Sequence, residues 1–281
     1  LLQRQDVHAV IIALPILSQP QYIEAALAAG KHVLAEKPIA ADVTAAKSLI
    51  DSYHAIQRNA GGSSTVTLAI AENFRFVPSF VYAREQARHL GKVTHFSVRS
   101  FSFTDTESKY YNTEWRKTPE YQGGFLLDGG VHFAAATRQY LGSESAPESV
   151  QAITHLTLPY LAPIDSVSAI VKTKTGAVGT YQHSAGTRLN AFEWDIAYEK
   201  GSIKQVGEKV TVTTSNGEKT TNEFARSSGV VEEVAAWAQG LIESRPNPFQ
   251  SPEEALADLE FLEKMFKSGE QNGASQKYEL Q

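Results

Sequence analysis

Two stretches of the chain bring together side chains that can move a proton. Glu36-Lys37-Pro38 follows a short apolar run, and Gly123-Gly124-Phe125-Leu126-Leu127-Asp128-Gly129-Gly130-Val131-His132 sets an acid and an imidazole four residues apart. A lysine just past a buried strand can polarise a substrate oxygen, because ligands in open α/β sheets bind beyond the carboxyl ends of the strands. From position alone the plainer reading of Lys37, a solvated surface lysine after a strand, is the favoured one. If the chain is helical from Leu126, Asp128 and His132 share one face, and histidine is the usual proton acceptor near neutral pH. The glycines allow close approach by a ligand or a second backbone. The plainer alternative is a glycine-rich loop feeding a helix, with Asp128 as its cap and His132 as a packed ring.

Other chemistries find weaker support. The eight histidines are scattered and no H-e-x-x-H pattern occurs, so no metal site is expected. No G-x-S-x-G elbow is present, and Gly61-Gly62-Ser63-Ser64 lacks the lysine of a phosphate loop. Glu193 and Asp195 suit the solvated face of a strand better than a glycosidase pair. Phe74, Phe76, Phe80 and Tyr82 read as core, while Tyr110-Tyr111 and Trp115-Arg116 either line a pocket or cover a sheet.

The elements that must position these groups follow from pattern. Asp6 to Leu14 is nearly continuous apolar sequence, suited to a strand buried on both faces and ended by Pro15. Ser18 to Ala29 reads as a helix with capping-box spacing at Ser18 and Gln21, Pro20 in its first turn and Gly30 at its end. His32 to Ala35 is a second strand, Asp42 to Asn59 a second helix, Gly61 to Ser64 a loop and Thr65 to Ala71 a third strand. That order is α/β, of the doubly wound parallel kind. After Phe74 a helix spans Pro78 to Leu90, and alternation takes over: Phe192, Trp194, Ile196 and Tyr198 point one way, Glu193 and Asp195 the other. Turn signals at Thr175-Gly176, Lys200-Gly201, Gly207-Glu208 and Asn216-Gly217 predict hairpins in a large antiparallel sheet from Lys92 to Phe224. Two helices close the chain, the last marked by Ser251, Pro252 and Glu254 at its start and Gly269 after its end.

Composition narrows the classes. With 281 residues, 42% hydrophobic, the chain can bury a core in one large or two ordinary domains. The net charge of −5 disfavours a nucleic-acid partner held through phosphates. The absence of cysteine excludes disulfides, thiolate metal sites and a cysteine nucleophile. No apolar run approaches the roughly 20 residues of a membrane span, so no membrane partner is expected.

Asp6 to Pro15, then Ala29-Gly30-Lys31-His32-Val33-Leu34-Ala35-Glu36-Lys37-Pro38, then the Gly123 to His132 segment, resemble the glucose–fructose oxidoreductase/inositol dehydrogenase (Gfo/Idh/MocA) family. Gly91-Lys92-Val93 and Trp115 also fit, and the similarity covers nearly the whole chain. Within the family the sequence is most similar to the fungal NADP-dependent dehydrogenases. The resemblance implies a nicotinamide-dependent oxidoreductase using NADP or NAD. Its expected fold is an incomplete Rossmann-type doubly wound parallel domain over residues 1–73, then an α+β substrate-binding domain over 74–281 with a large, mostly antiparallel open sheet. It further implies a cytoplasmic protein that forms a homo-oligomer through that sheet. By family match Lys37, His132 and Asp128 are catalytic; Leu14, Pro15, Glu36, Lys37 and Pro38 surround the cofactor; and Trp115, Arg116, Asp128 and His132 meet a small-molecule substrate.

Some positions depart from the family pattern. Ala135 stands where an acidic residue often follows the histidine, and Leu14-Pro15 and Ser18-Gln19 replace a Thr- or Ser-Pro and a histidine. The glycine fingerprint G-x-G-x-x-G is expected before residue 1, so about 60–80 residues, half a dinucleotide domain, are expected to be missing. The fragment by itself is expected to be inactive, with an open strand edge and exposed apolar residues near Val7 to Ile12.

Two functions remain in view. One is an oxidoreductase moving hydride between nicotinamide and a hydroxyl or carbonyl carbon of a sugar, polyol or related molecule. In it His132 takes the proton, Lys37 stabilises the alkoxide, and Asp128 holds a substrate hydroxyl and orients the His132 ring. The other is a non-catalytic sensor binding a dinucleotide on the same fold. The combination of Lys37, Asp128 and His132 favours the enzyme, since a pure binder needs no such set.

Overall fold

The computed structural model describes residues 1–59 and 66–281. The loop expected at Gly61 to Ser64 lies outside the described residues. Ala9–Ile12 (β1), His32–Glu36 (β2) and Leu68–Ala71 (β3) form a parallel sheet in the order β1-β2-β3. β1 is shorter than the apolar run suggests because its ladder reaches only from Ala9, opposite His32, to Ile12, opposite Ala35.

Gln19–Ala28 (α1) and Val43–Asn59 (α2) cover one face of this sheet. Ile23, Ala26 and Leu27 of α1 and Ala46, Leu49 and Ile50 of α2 share a core with Val10, Ile12, Val33, Ala35 and Ile70. Burying each larger aliphatic side chain contributes roughly 1.5–3 kcal/mol. The start of α1 differs from expectation. Ser18 has helical backbone angles and no side-chain cap; the chain turns instead through Pro15, whose carbonyl accepts from the N–H of Ser18 and of Gln19. α2 is capped by Asp42, which accepts from the N–H of Ala45 at 2.8 Å.

The second sheet has nine strands: Val93–Phe103 (β4), Pro147–His155 (β5), Ser166–Thr173 (β6), Val178–Ser184 (β7), Gly186–Tyr198 (β8), Gly201–Val206 (β9), Lys209–Thr214 (β10), Lys219–Glu223 (β11) and Gln276–Lys277 (β12). Their order is β11-β10-β9-β8-β4-β7-β6-β5-β12, antiparallel except between β4 and β7. The expected hairpin turns fall between β6 and β7, β8 and β9, β9 and β10, and β10 and β11. Trp194, Ile196 and Tyr198 face the core. Glu193 and Asp195 face outward and hold Arg99 and Lys204, cross-strand ion pairs rather than a reacting pair.

Pro78–Ala87 (α3), the short Glu114–Lys117 (α4), Phe125–Leu141 (α5), Val230–Ile242 (α6) and Pro252–Glu270 (α7) complete the fold. Ser251 caps α7 by accepting from the N–H of Glu254 at 3.2 Å. Glu254 does not close the box; its carboxylate meets Arg75 and Arg138. Gly269 lies inside the last turn of α7, not after it. A Cβ there would come within 2.4 Å of the Thr154 hydroxyl on β5, so the position serves close packing. α6 returns to the first sheet: Trp237 packs on Leu34, Ala69 and Ala71, the face that α1 and α2 leave open. That cover is partial at edge strand β1, where Ala9 packs against it but Ile11 is 57% exposed. None of the described helices is long and apolar enough to cross a membrane.

Candidate active site

The two parallel strands β2 and β3 end in register, Glu36 opposite Ala71. The residues just beyond are Lys37 and Glu72, which therefore emerge side by side where open α/β sheets bind ligands. Across them lies the start of α5. Gly124 precedes the helix with φ +49°, and a Cβ there would sit 2.8 Å from the Ala162 carbonyl oxygen, so glycine sets the entry angle. Asp128 falls in the first turn of α5 and His132 one turn later, which settles the helical reading of this segment; Gly124, not Asp128, is the cap.

Lys37 Nζ donates to the Asp128 carbonyl oxygen at 2.6 Å and to Asp128 Oδ1 at 2.9 Å. Arg116 Nε donates to the other carboxylate oxygen at 2.7 Å, and its guanidinium lies 4.0 Å over the Trp115 ring. His132 Nδ1 meets Glu72 Oε1 at 2.7 Å. Phe74, just after Glu72, donates its N–H to the same oxygen at 3.1 Å and stacks its ring on the imidazole at 4.8 Å. The orienting partner of His132 is thus Glu72 and not Asp128, because four residues of helix direct the two side chains to different strand ends. Among the described residues His132 Nε2 has no hydrogen-bond partner, and the His132 side chain is 20% exposed.

The charges are tuned by these contacts. Burial pushes the Asp128 carboxyl up, but Lys37 and Arg116 outweigh it and hold the group below the ordinary carboxylate range. Burial likewise opposes ionisation of Glu72, and His132, Lys37 and Arg75 together bring its net shift downward. Both are carboxylates near neutral pH. Burial and the Asp128 charge push the Tyr121 hydroxyl well above its usual range, and that hydroxyl has no partner among the described residues.

Of the residues singled out from sequence, Lys37, Asp128, Arg116 and Trp115 form one connected group, and His132 joins it through α5. Glu36 accepts from the Lys37 N–H at 3.2 Å, Pro38 is buried behind it, and Leu14 and Pro15 stand at the end of β1 with Leu14 39% exposed. Three residues escaped the sequence reading. Glu72 had a usable signal, since it follows an apolar strand as Lys37 does. Gln19 had none. It is fully buried and its Nε2 donates to the carbonyls of Glu36 (2.5 Å) and Pro38 (3.2 Å), clamping the turn that carries Lys37. Tyr121 became visible only through its nearness to Asp128 and its 6.1 Å ring contact with Trp115.

The donor set fits a nicotinamide ring. Leu14 offers exposed apolar carbon beyond β1, next to the end of β2 that carries Lys37, and Gln19 Oε1 is a buried oxygen without a partner among the described residues. A flat ring bearing an amide matches apolar carbon beside an acceptor.

Comparison with known proteins points to nicotinamide-dependent oxidoreductases. Residues 1–58 match a family model described as "Oxidoreductase family, NAD-binding Rossmann fold", and residues 81–204 match the "GFO/IDH/MocA C-terminal domain". The dehydrogenase FPY6 of Fusarium mangiferae is 39% identical, the match covering 98% of this chain and 79% of the relative. D-xylose 1-dehydrogenase (NADP(+)) 2 of Haloferax volcanii is 27% identical over 98% of this chain and 82% of its own. The crystal structure of an oxidoreductase from Thermotoga maritima superposes with a TM-score of 0.85 at 32% identity, covering 99% of this chain and 80% of that one.

Proposed function

The chain belongs to the Gfo/Idh/MocA family of NAD(P)-dependent oxidoreductases, and we propose that Lys37, Asp128 and His132 form its reaction centre, acting on a hydroxyl or carbonyl carbon of a sugar or polyol. The observation that carries this reading is the pair of couples at adjacent strand ends, Lys37 with Asp128 and His132 with Glu72. The nicotinamide, when bound, supplies the hydride acceptor or donor. With Nδ1 engaged by Glu72, the neutral His132 ring carries its proton on Nδ1 and presents Nε2 as a base to the substrate hydroxyl. As that proton arrives, the imidazolium forms against an existing carboxylate, which stabilises it. The Lys37 ammonium faces the negative charge growing on the substrate oxygen, and Asp128 and Arg116 bind neighbouring hydroxyls. In reduction each proton moves the other way. Leu14, Pro15, Glu36, Lys37 and Pro38 would flank the nicotinamide, and Gln19 holds their turn in place.

The outer face of the nine-stranded sheet supports association with a second copy of the chain. Ile153, Ile170, Val178, Leu189 and Val206 all project from it and are 44–66% exposed. A nicotinamide pool and sugar substrates meet in the cytoplasm, the location we propose.

The test uses a version of the protein that also carries the glycine-fingerprint segment expected before residue 1, given a panel of D-xylose, myo-inositol and levoglucosan with NADP+ and NAD+ and followed at the reduced-nicotinamide absorbance. Turnover of one pair, lowered about 10²–10⁴-fold in His132→Ala and in Lys37→Ala with little change in KM, is the expected outcome. Unchanged turnover in His132→Ala would remove that residue from the chemical step. Dinucleotide binding without turnover of any hydroxyl compound would favour a sensor.

A further inference from the structure

Glu233 lies on α6, four residues before the Trp237 that packs on Ala69 and Ala71 of β3. Four residues is one helical turn, so Glu233 and Trp237 share the face turned to the parallel sheet. The direction of α6 is fixed at its start. Gly229, with φ +77°, precedes the helix, and a Cβ there would meet the Asn73 carbonyl oxygen at 2.3 Å; Asn73 Nδ2 donates to the Ser228 carbonyl at 2.5 Å. α6 therefore begins against the turn Asn73–Arg75 that follows β3 and runs back along the sheet. Glu233, one turn in, stands at the level where β2 ends in Glu36 and β3 passes into Glu72.

Glu233 is 2% exposed and Glu72 is 2% exposed. Glu233 Oε1 and Glu72 Oε2 are both buried with no partner among the described residues. The groups facing this place are Glu36 from β2, Glu72 after β3, and, on the far side of Glu72, the Lys37 and Arg75 cations and the His132 ring. Lys37 engages Asp128, Arg75 engages Asp258 and Glu254, and His132 engages Glu72 itself. Among the described residues none of the three is paired with Glu233. A second buried anion beside Glu72 would stand uncompensated, so one of the two carboxyls must keep its proton.

We propose that Glu233 is a positioning residue that holds this proton, leaving Glu72 as the anion that faces His132. Burial, with Glu72 and Glu36 nearby, pushes Glu233 up to about 9. Above that pH a second negative charge appears behind Glu72 and alters the couple with His132. The inference concerns the role given to His132 above and rests on that reading, but its tests read protonation and not turnover.

The experiment is infrared difference spectroscopy of the full chain labelled with carboxyl-¹³C glutamate, titrated between about pH 6 and pH 10. A protonated-carboxyl band present at neutral pH, lost near pH 9 and absent in Glu233→Gln, is expected. Absence of the band in the wild-type chain, or its persistence in Glu233→Gln, overturns the proposal. The ring nitrogens of ¹⁵N-histidine-labelled protein supply the second readout. The His132 signals should move between about pH 8 and pH 10 in the wild type and stay fixed in Glu233→Gln, since the charge that Glu233 gains is felt through Glu72. A merely structural glutamate would leave them alike in both proteins, and that result refutes the coupling. The melting temperature gives a third sign. Glu233→Gln should gain on the wild type by at least about 2 °C as pH rises from 5 to 8, because only the wild type must keep a buried acid protonated. No gain, or a loss, counts against the proposal. If the variant does not fold, the wild-type infrared titration decides alone.

Discussion

Asp128→Asn removes the one charge that Lys37 and Arg116 share. The carboxylate is 9% exposed, its partners 13% and 19%, and three hydrogen bonds of 2.6–2.9 Å converge on the residue. Breaking a buried ion pair by removing one partner costs about 3–5 kcal/mol, because the other charge stays buried. Asparagine keeps the shape and the backbone contact to Lys37 and can still accept from one cation. The net loss is therefore set lower, at about 2–4 kcal/mol. For a chain of this length each kcal/mol moves the melting temperature by about 2 °C, which predicts a fall of about 4–8 °C. Thermal unfolding followed by circular dichroism near neutral pH measures it directly. The cycle with Lys37→Met separates pairing from general damage: the double variant should lose less than the sum of the singles, with a coupling of about 1–3 kcal/mol. A fall under about 1 °C for Asp128→Asn, or strictly additive losses, would show that these groups are solvated and that Asp128 does not hold Lys37 as described.

Glu72→Gln removes the carboxylate behind His132 and should lower kcat about 10–100-fold at nearly constant KM, the loss of one charge-assisted hydrogen bond of about 1.5–3 kcal/mol in the transition state; steady-state kinetics on the pair found by the panel checks it. Gln19→Leu strands the buried carbonyls of Glu36 and Pro38, and should lower the melting temperature by about 2–6 °C and reduce turnover more than substrate affinity. Asp128 and Glu72 have folded-state values below their unfolded ones, so their contribution is complete above the ordinary carboxylate range and is lost as pH falls through the folded values. Denaturant titrations from about pH 6 down to pH 3 should show that loss in the wild type and a smaller one in Asp128→Asn.

Periodicity alone carried most of the fold. The two helices over the parallel sheet and the four hairpin turns of the large one were legible because each rests on local spacing, apolar stripes for the former and glycine in tight turns for the latter. What escaped depends on distant segments. α6 reads as an ordinary amphipathic helix, and nothing in its sequence says that Trp237 covers Leu34 and Ala71, far earlier in the chain. The orienter of His132 was assigned to Asp128 from spacing on one helix. The true partner sits after β3, 60 residues away, and only the register of β2 with β3 brings it there. Ser18 offered capping chemistry that the backbone did not use, because Pro15 had already turned the chain.

The charged cluster at these strand ends is hard to explain as a stabilising device. Taking Lys37, Asp128 and Glu72 out of water costs several kcal/mol per ion, and apolar side chains of similar volume would hold the same elements together without that cost. What apolar replacements would not provide is a free ring nitrogen able to take a proton, a cation near it, and carboxylates that orient both. Among the described residues His132 leaves Nε2 unengaged while Nδ1 is committed to Glu72, and Lys37 is held by Asp128 through two oxygens at the neighbouring strand end. Gln19 spends a fully buried side chain on fixing the Lys37 turn rather than on capping its own helix. Local stability is given up at several points to hold one proton-transfer geometry, as expected where the fold serves chemistry between its two sheets.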